Sequence, residues 1–261
     1  MKAVAAFLLV LCYLAASHAW SCKEAPRLYN AAQVDAGLGK VIARDTSGYA
    51  YLLIRTSWYR LTTSVRFKHV SVGSAGIWGA DTSNRAQKFI AGVFRQSSGT
   101  NVQQVDAGGA GQVVGVGTSN HAYCLRSTYA LAFAGTGSLS WSYLGRTLRY
   151  YSCSPLKGCW GVDTSYRVYY TQTIVPTSCG TSGWYQISGL SLKMIEVGSD
   201  GSVFGLTTGG KVYQRAGITS SNPRGTGWSL VSMCMSVRHV SYDLGNLWVV
   251  TTSGLLMKCT H

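Results

Sequence analysis

A short segment of the chain recurs six times. Each copy has an apolar or aromatic run, a turn written mostly with Asp, Gly, Thr and Ser, and a second β-like run. The copies are KVIARDTSGYAYLL (40–53), GIWGADTSNRAQKF (76–89), QVVGVGTSNHAYCL (112–125), GCWGVDTSYRVYY (158–170), SVFGLTTGGKVYQR (202–215) and NLWVVTTSGLLMKC (246–259). The central Thr falls at 46, 82, 118, 164, 208 and 252, so the steps are 36, 36, 46, 44 and 44 residues. Such a drifting period is typical of a tandem repeat with loop insertions.

Two further elements accompany the copies and complete a four-stranded unit. An upstream element reads QVDAG (33–37), HVSVG (69–73), QVDAG (104–108), YYSCS (150–154), MIEVG (194–198) and HVSYD (239–243). A downstream element reads WYRL (58–61), VFRQ (93–96, without the Trp), WSYL (141–144), WYQI (184–187) and WSLV (228–231). Four short strands in units of roughly 35 to 45 residues are typical of β-propeller blades. The sequence therefore predicts a single all-β domain over residues 20–261, a six-bladed β-propeller.

The two ends of this domain are predicted to meet. A ring that stayed open would expose unpaired strand edges. The first residues, WSCK (20–23), resemble the outer strand WSLV, whereas the last repeat ends at LLMKCTH (255–261) without an outer strand of its own. We therefore expect the N-terminal strand to complete the sixth blade. This places Cys22 beside Cys259, where a disulfide would lock the ring.

The other cysteines indicate two more disulfides. Cys153 and Cys159 flank the turn between the first two strands of blade four and should pair locally. Cys124 and Cys179 are then the remaining plausible partners, across blades three and four, and Cys234 is left unpaired by elimination. The sequence has no CxxC pair and no zinc-like spacing of His, so disulfides formed in an oxidising compartment are the better interpretation. We expect no metal and no cofactor.

Residues 1–19 are predicted to be a signal peptide. Lys2 precedes the apolar run AVAAFLLVLCYLAA (3–16), and Ser17-His18-Ala19 supplies small residues at a cleavage point before Trp20. No later run is long enough to insert into a membrane. The mature protein is therefore expected to be secreted and extracellular.

The chain is strongly basic, with 23 Lys and Arg against 9 Asp and Glu and a formal net charge of +14. The basic residues are spread along the chain, so the charge predicts either solubility alone or attraction to anionic partners. Bacterial lipopolysaccharide and other anionic glycans fit a secreted protein, whereas nucleic acid does not. The sequence leaves assembly into a homo-oligomer open.

With these repeats in view, the chain resembles the tectonin-repeat lectins, tachylectin-like β-propellers, and within them the fish egg lectins. The resemblance covers residues 20–261 and rests on the strand and turn that are well formed at IWGAD (77–81) and CWGVD (159–163) and degraded in blades one, three and six. It implies a six-bladed propeller that binds N-acetylglucosamine and microbial glycans in innate or egg defence.

A secreted glycan hydrolase is an alternative that the carboxylates disfavour. Such an enzyme needs two placed carboxyl groups, one of them protonated. The chain has two Glu and seven Asp, and Asp35 and Asp106 share one repeated position while Asp45, Asp81 and Asp163 share another. Residues that recur at the same position of several repeats are expected to stabilise the repeat, whereas a catalytic pair is normally unique, so we expect no enzyme. A protein-interaction propeller without sugar binding is the other alternative, whereas repeated sugar sites would gain avidity.

The candidate carbohydrate-binding residues lie at the repeated turn. They are Asp45, Asp81 and Asp163, which begin the turn, and Tyr49, Arg85, Tyr166 and Arg167, which follow it. Asp at this position also commonly bonds to its own turn backbone, which would be a purely structural role. The aromatic residues Trp78, Trp160, Trp248 and Phe204 are expected to pack between blades. The long connections at 127–140 and 216–227 project from the opposite rim, and the sequence does not choose between the two rims.

Overall fold

The computed structural model describes residues 20–261; the predicted signal peptide, residues 1–19, lies outside the described residues. Strand β1 (Ser21–Glu24) belongs to the last blade. Blade one comprises β2 (Ala31–Gly37), β3 (Lys40–Asp45), β4 (Ala50–Ile54) and β5 (Ser57–Arg60). Blade two comprises β6 (Phe67–Gly73), β7 (Gly76–Asp81), β8 (Ala86–Ile90) and β9 (Val93–Gln96), and the short β10 (Ser98–Gly99) follows it. Blade three comprises β11 (Val102–Asp106), β12 (Val113–Gly117), β13 (His121–Leu125) and β15 (Ser142–Thr147), with α1 (Ser127–Ala132) and β14 (Ser138–Leu139) inserted between β13 and β15.

Blades four to six follow the same order from the inner to the outer strand. Blade four comprises β16 (Tyr150–Cys153), β17 (Cys159–Val162), β18 (Val168–Thr171) and β19 (Tyr185–Ile187). Blade five comprises β20 (Met194–Val197), β21 (Val203–Leu206), β22 (Val212–Ala216) and β23 (Gly227–Val231). Blade six comprises β24 (Val237–Asp243), β25 (Asn246–Thr251), β26 (Leu256–Thr260) and finally β1. Each blade is a four-stranded antiparallel sheet, and the six inner strands contact one another in sequence around a central axis. The six-bladed β-propeller predicted from the repeats is confirmed.

The ring closes through the N-terminal strand. β1 pairs antiparallel with β26, opposite Cys22 to Cys259, and these two cysteines form a disulfide. Cys153–Cys159 links β16 to β17, and Cys124–Cys179 links β13 to the connection between β18 and β19. Cys234 is free and exposed.

The blades pack through large side chains on their second strands. Trp78, Trp160 and Phe204 are completely buried, and Trp248 is nearly so. The inner strands approach very closely: a Cβ on Gly73 would lie 2.1 Å from the carbonyl oxygen of Ala107 on the next blade. Only glycine fits there, which explains why this position closes the repeated upstream element in most blades.

Side chains bind the free backbone edge of five of the six inner strands, which would otherwise be unpaired and buried. The Gln33 amide bonds both the N–H and the carbonyl of Val70 on the next blade, and Asp35 accepts the N–H of Val72. The equivalent residues Ser71, Asp106, Ser152 and Ser241 accept the backbone N–H groups of Ala107, Cys153, Val197 and Ala36 respectively. The polar residues of the upstream element therefore join the blades around the axis.

One connection contains structure that the sequence does not indicate. The segment 127–140 holds α1, and Lys88 Nζ donates hydrogen bonds to the carbonyl oxygens of Ala130 and Leu131 at the end of that helix. β14 pairs in parallel with β10, which ties this connection to blade two. Over residues 20–261, the helices are too short or too polar to cross a membrane.

Candidate functional site

The ring presents two rims. We call "turn rim" the face that carries the six turns between second and third strands, centred on Thr46, Thr82, Thr118, Thr164, Thr208 and Thr252. We call "hairpin rim" the opposite face, which carries the turns between first and second strands and the connections between third and fourth strands. All seven residues that the sequence analysis puts forward for carbohydrate binding lie at the turn rim.

The aspartates that begin the turns hold the turns together. Asp81 Oδ1 accepts the backbone N–H groups of Ser83 and Arg85 at 2.8 and 2.9 Å, and Asn84 takes the left-handed conformation with φ of 64°. Asp163 makes the same pair of bonds in blade four, and Asp45 accepts the N–H of Tyr49 in blade one. This Asp position therefore has a structural role wherever it occurs.

Threonine performs the same task in blades five and six, which lack the aspartate. Thr207 Oγ1 accepts the N–H of Lys211 at 3.1 Å, and Thr251 Oγ1 accepts the N–H of Leu255 at 3.0 Å. The turn therefore needs no negative charge at this position, and in blade three, where Gly117 stands there, it forms without a side-chain acceptor. The three aspartates supply a second oxygen that Thr does not have.

That second oxygen positions an arginine in two blades. Asp81 Oδ2 lies 2.9 Å from Arg85 Nε, and Asp163 Oδ2 lies 2.7 Å from Arg167 Nε. Both carboxylates are buried, whereas the arginine side chains are 46% and 56% exposed. Because each guanidinium meets its aspartate through Nε, its Nη hydrogens point away from that contact and are available to a ligand. In blade one, the Asp45 carboxylate accepts the hydroxyl of Tyr51 instead.

The two candidate tyrosines are covered by arginines. The guanidinium carbons of Arg66 and Arg60 lie 3.6 and 4.6 Å from the centre of the Tyr49 ring, and Arg66 also donates to the Tyr49 hydroxyl. Arg149 lies 4.9 Å from the centre of the Tyr166 ring. These contacts are cation–π interactions, and they bring more positive charge to the turn rim while limiting the ring area open to a sugar.

Tyr166 has an unusual backbone for a bulky residue. Its φ is 66°, in the left-handed region. The equivalent residues in the other blades, Gly48, Asn84, Asn120, Gly210 and Gly254, have positive φ as well, but Gly and Asn tolerate it. Strain of this kind is found preferentially at functional sites, so Tyr166 is the candidate whose identity the fold explains least.

Grooves on the turn rim lie between the turns and the connections to the next blade. One of about 320 Å³ in blade five is lined by Lys211, Met235 and the free Cys234, and one of about 170 Å³ between blades six and one is lined by Arg27, Tyr29 and Gly254.

The hairpin rim has two pockets that sequence reasoning missed. One of about 450 Å³ lies between blades six and one and is lined by Arg55, Trp248 and Lys258 among others. Another of about 350 Å³ is lined by Lys157 and Arg215. Their residues come from non-equivalent parts of neighbouring repeats, so no single motif in the sequence marks them.

The central channel contains three buried carboxyl groups. Asp35, Asp106 and Glu196 alternate around the axis with Ser71, Ser152 and Ser241, and Ser152 donates to both Asp106 and Glu196. Burial raises the pKa of all three acids, and neighbouring carboxyl groups raise it further for Glu196 and for Asp106, whose pKa is about 8. Among residues 20–261, no three His, Cys, Asp or Glu side chains are arranged to hold a metal ion.

Comparisons with known proteins agree with this architecture. The family model described as "Tectonin domain" matches residues 30–252. A fish-egg lectin of Cyprinus carpio is 40% identical over 158 residues, which cover 60% of this chain and 65% of that protein. The chain thus aligns with slightly less than two thirds of that lectin's length.

Solved structures with little sequence identity share the fold. The β-propeller domain of Cps50 (Swd1) from Myceliophteria thermophila has a TM-score of 0.62 at 8% identity, with coverage of 93% of this chain and 99% of that one. Virginiamycin B lyase from Staphylococcus aureus has a TM-score of 0.58 at 10% identity, with the same two coverages. These likenesses concern the fold alone. Since the tectonin model spans most of the six repeats, the chain belongs to the tectonin domain family.

Proposed function

We propose that this protein is a secreted lectin that binds N-acetylglucosamine-type glycans, without catalytic activity, in innate or egg defence. The 40% identity to a fish-egg lectin and the tectonin repeats support a lectin. The three disulfides support an oxidising, extracellular destination.

The observation that carries the proposal is the pair of equivalent Asp–Arg arrangements in blades two and four. A buried aspartate fixes each arginine, so little conformational freedom is lost when the guanidinium donates to sugar hydroxyls or to an N-acetyl carbonyl. In this proposal Arg85 and Arg167 contact the sugar, Asp81 and Asp163 position them, and Tyr166 flanks the site. Asp45 and Tyr49 form the related site of blade one.

Repetition makes weak sites useful. Two or three sites that face the same side of one ring can engage neighbouring sugars on a microbial or egg-coat surface, and the second contact is then intramolecular. The proposal therefore predicts strong binding to dense N-acetylglucosamine surfaces and weak binding to the free sugar.

The test is retention on immobilised N-acetylglucosamine, with elution by the free sugar. The double variant Arg85→Gln/Arg167→Gln should lose at least about tenfold in avidity, because both positioned donors are shortened. The control Arg55→Gln/Arg126→Gln makes the same charge change on the hairpin rim and should bind normally. Loss in the control alone would move the site to the pocket lined by Arg55. An unmodified protein that no saccharide elutes would favour a protein-interaction propeller.

Attraction to anionic glycans such as lipopolysaccharide is a second proposed property. Among residues 20–261, only Arg85 and Arg167 form ion pairs with side-chain carboxylates, so most of the positive charge is uncompensated. Binding through charge should weaken steeply between low and high salt, whereas N-acetylglucosamine binding should persist. Turnover of a chitin-like oligomer would instead revive the hydrolase alternative.

A further inference from the structure

Four blades carry a basic residue at the same position at the start of the inner strand. In blades one, two, three and six this strand begins at the turn rim with a buried apolar residue, and a bulge makes the next residue an extra one in the ladder, as between Phe67 and His69. In blades four and five, Arg149 and Lys193 donate their N–H groups to the carbonyl oxygens of Val162 and Leu206. The bulge residues are Ala32, Lys68, Gln103 and Arg238, and Arg149 and Lys193 occupy the equivalent positions directly before β16 and β20.

These positions lie close to one another because the inner strands contact one another around the axis. The pKa of Lys193 is lowered, first by burial and then by the positive charges of Arg149 and Arg238. Blade one has Ala32 at this position, and its basic residue is instead Arg44 on the adjacent strand β3. The pKa of Arg44 is lowered by burial and by the charge of Arg238, whereas Asp45 raises it. We call Arg44, Lys68, Arg149, Lys193 and Arg238 the basic mouth of the channel.

The basic mouth lacks an anionic hydrogen-bond partner among the described residues. Lys68 Nζ donates to the amide oxygen of Asn84 at 2.7 Å, and Arg238 donates to the carbonyl oxygen of Thr252 at 2.6 Å. Arg44 donates to the backbone carbonyl of its neighbour Asp45, but its Nε is buried and has no partner. All of these acceptors are neutral, so the protein gathers like charges without balancing them.

The layer beneath the mouth does not neutralise it either. His69 and His239 lie there beside the Tyr150 hydroxyl, and burial lowers the pKa of both, that of His69 to about 3. They are therefore neutral near pH 7. The acids of the channel lie one layer deeper towards the hairpin rim, where Glu196 accepts the Tyr150 hydroxyl.

We propose that the basic mouth is a binding site for a phosphate group, held near the axis by the side chains of Arg44, Lys193 and Arg238. A compact dianion there would be attracted by all three charges at once and would reduce their mutual repulsion. Guanidinium groups match the oxygens of phosphate with paired hydrogen bonds, and ammonium groups add point charges. The site is separate from the proposed sugar site and does not depend on it.

Calorimetry with inorganic phosphate at constant ionic strength tests the site. Lys193→Gln/Arg238→Gln should weaken phosphate binding by about tenfold or more, since two of the three charges that hold the phosphate are lost. The control Lys40→Gln/Arg126→Gln removes one Lys and one Arg from the hairpin rim and should change the Kd by less than about twofold. Equal weakening in both variants, or in neither, would overturn the proposal.

Two further measurements distinguish a phosphate site on the axis from a general effect of positive charge. Phosphate should protect Lys193 from acylation in the unmodified protein, which needs no variant to fold; unchanged acylation would argue against the site. The double variant should still bind immobilised N-acetylglucosamine if the unmodified protein does. Because phosphate binding is measured separately, the phosphate proposal can be tested even if the protein does not bind the sugar. Tighter binding of N-acetylglucosamine 6-phosphate than of inorganic phosphate would identify a glycan-linked group as the ligand, and equal binding would identify the free ion.

Discussion

Cys22 lies directly opposite Cys259 across the β1–β26 pair, and the two cysteines are bonded although 237 residues separate them in the sequence. The sixth blade is thus built from both ends of the described chain. Without this strand, β26 would be an exposed edge in the last blade. The disulfide and the strand pairing therefore stabilise the same junction.

Removal of this disulfide should destabilise the whole ring. In the chain-entropy model a cross-link over so long a loop contributes roughly 5 kcal/mol. We expect Cys22→Ser/Cys259→Ser to lower the free energy of unfolding by a large part of this amount, measured by urea denaturation. Cys234→Ser, which changes a free and exposed thiol, should have little effect. Equal stability of the two variants would mean that strand pairing alone closes the ring.

Loss of the turn aspartate in blade two should be costly. Asp81→Ala leaves two backbone N–H groups and the side chains of Arg85 and Gln87 without their acceptor, which costs about 2 kcal/mol. Asp81→Thr should recover part of the loss, because Thr207 supports the equivalent turn. The measurement is thermal unfolding. A threonine variant as unstable as the alanine variant would contradict the proposed role of Oδ1.

The sequence predicts the architecture well because every blade repeats it. Six copies of one turn fix the number of blades, and the absence of an outer strand after Cys259 predicts where the N-terminus must go. The bonds that join the blades were not predicted, because Gln33 and Asp35 act on the backbone of the next blade and their partners have no distinctive sequence.

The candidate site is less predictable than the fold. Asp81 and Arg85 stand out as a repeated motif, but the sequence does not reveal that one carboxylate both closes the turn and fixes the arginine. The basic mouth is harder to see, since Arg149 and Lys193 are isolated basic residues in the sequence. Only the ring of inner strands brings them together.

Tyr166 should lower the stability of the fold while contributing to sugar binding. Asn adopts the left-handed conformation more readily than Tyr, so Tyr166→Asn should raise the free energy of unfolding by about 1 kcal/mol. If Tyr166 flanks the proposed sugar site, the same variant should bind immobilised N-acetylglucosamine more weakly. Asn84→Gln, at the equivalent position of blade two, serves as the control and should lower stability. A Tyr166→Asn variant that is stabilised and binds normally would remove Tyr166 from the site.

The buried acids should make the ring less stable as the pH rises above neutral. The pKa of Asp106 is raised from 3.8 to about 8, mainly by burial, so between these values the folded protein holds a proton that the unfolded chain releases. By linkage, this stabilisation is complete below the unfolded pKa and is lost as the pH rises through the folded one. The buried histidines act in the opposite sense, but only below about pH 6.5, where the unfolded chain gains their protons. From pH 6.5 to 8.5 the acids alone determine the slope, and the free energy of unfolding measured in urea should fall. Asp106→Asn, which cannot ionise, should flatten the curve, whereas Asp200→Asn on an exposed loop should not. A slope that persists unchanged in Asp106→Asn would assign the proton to Asp35 or Glu196 instead.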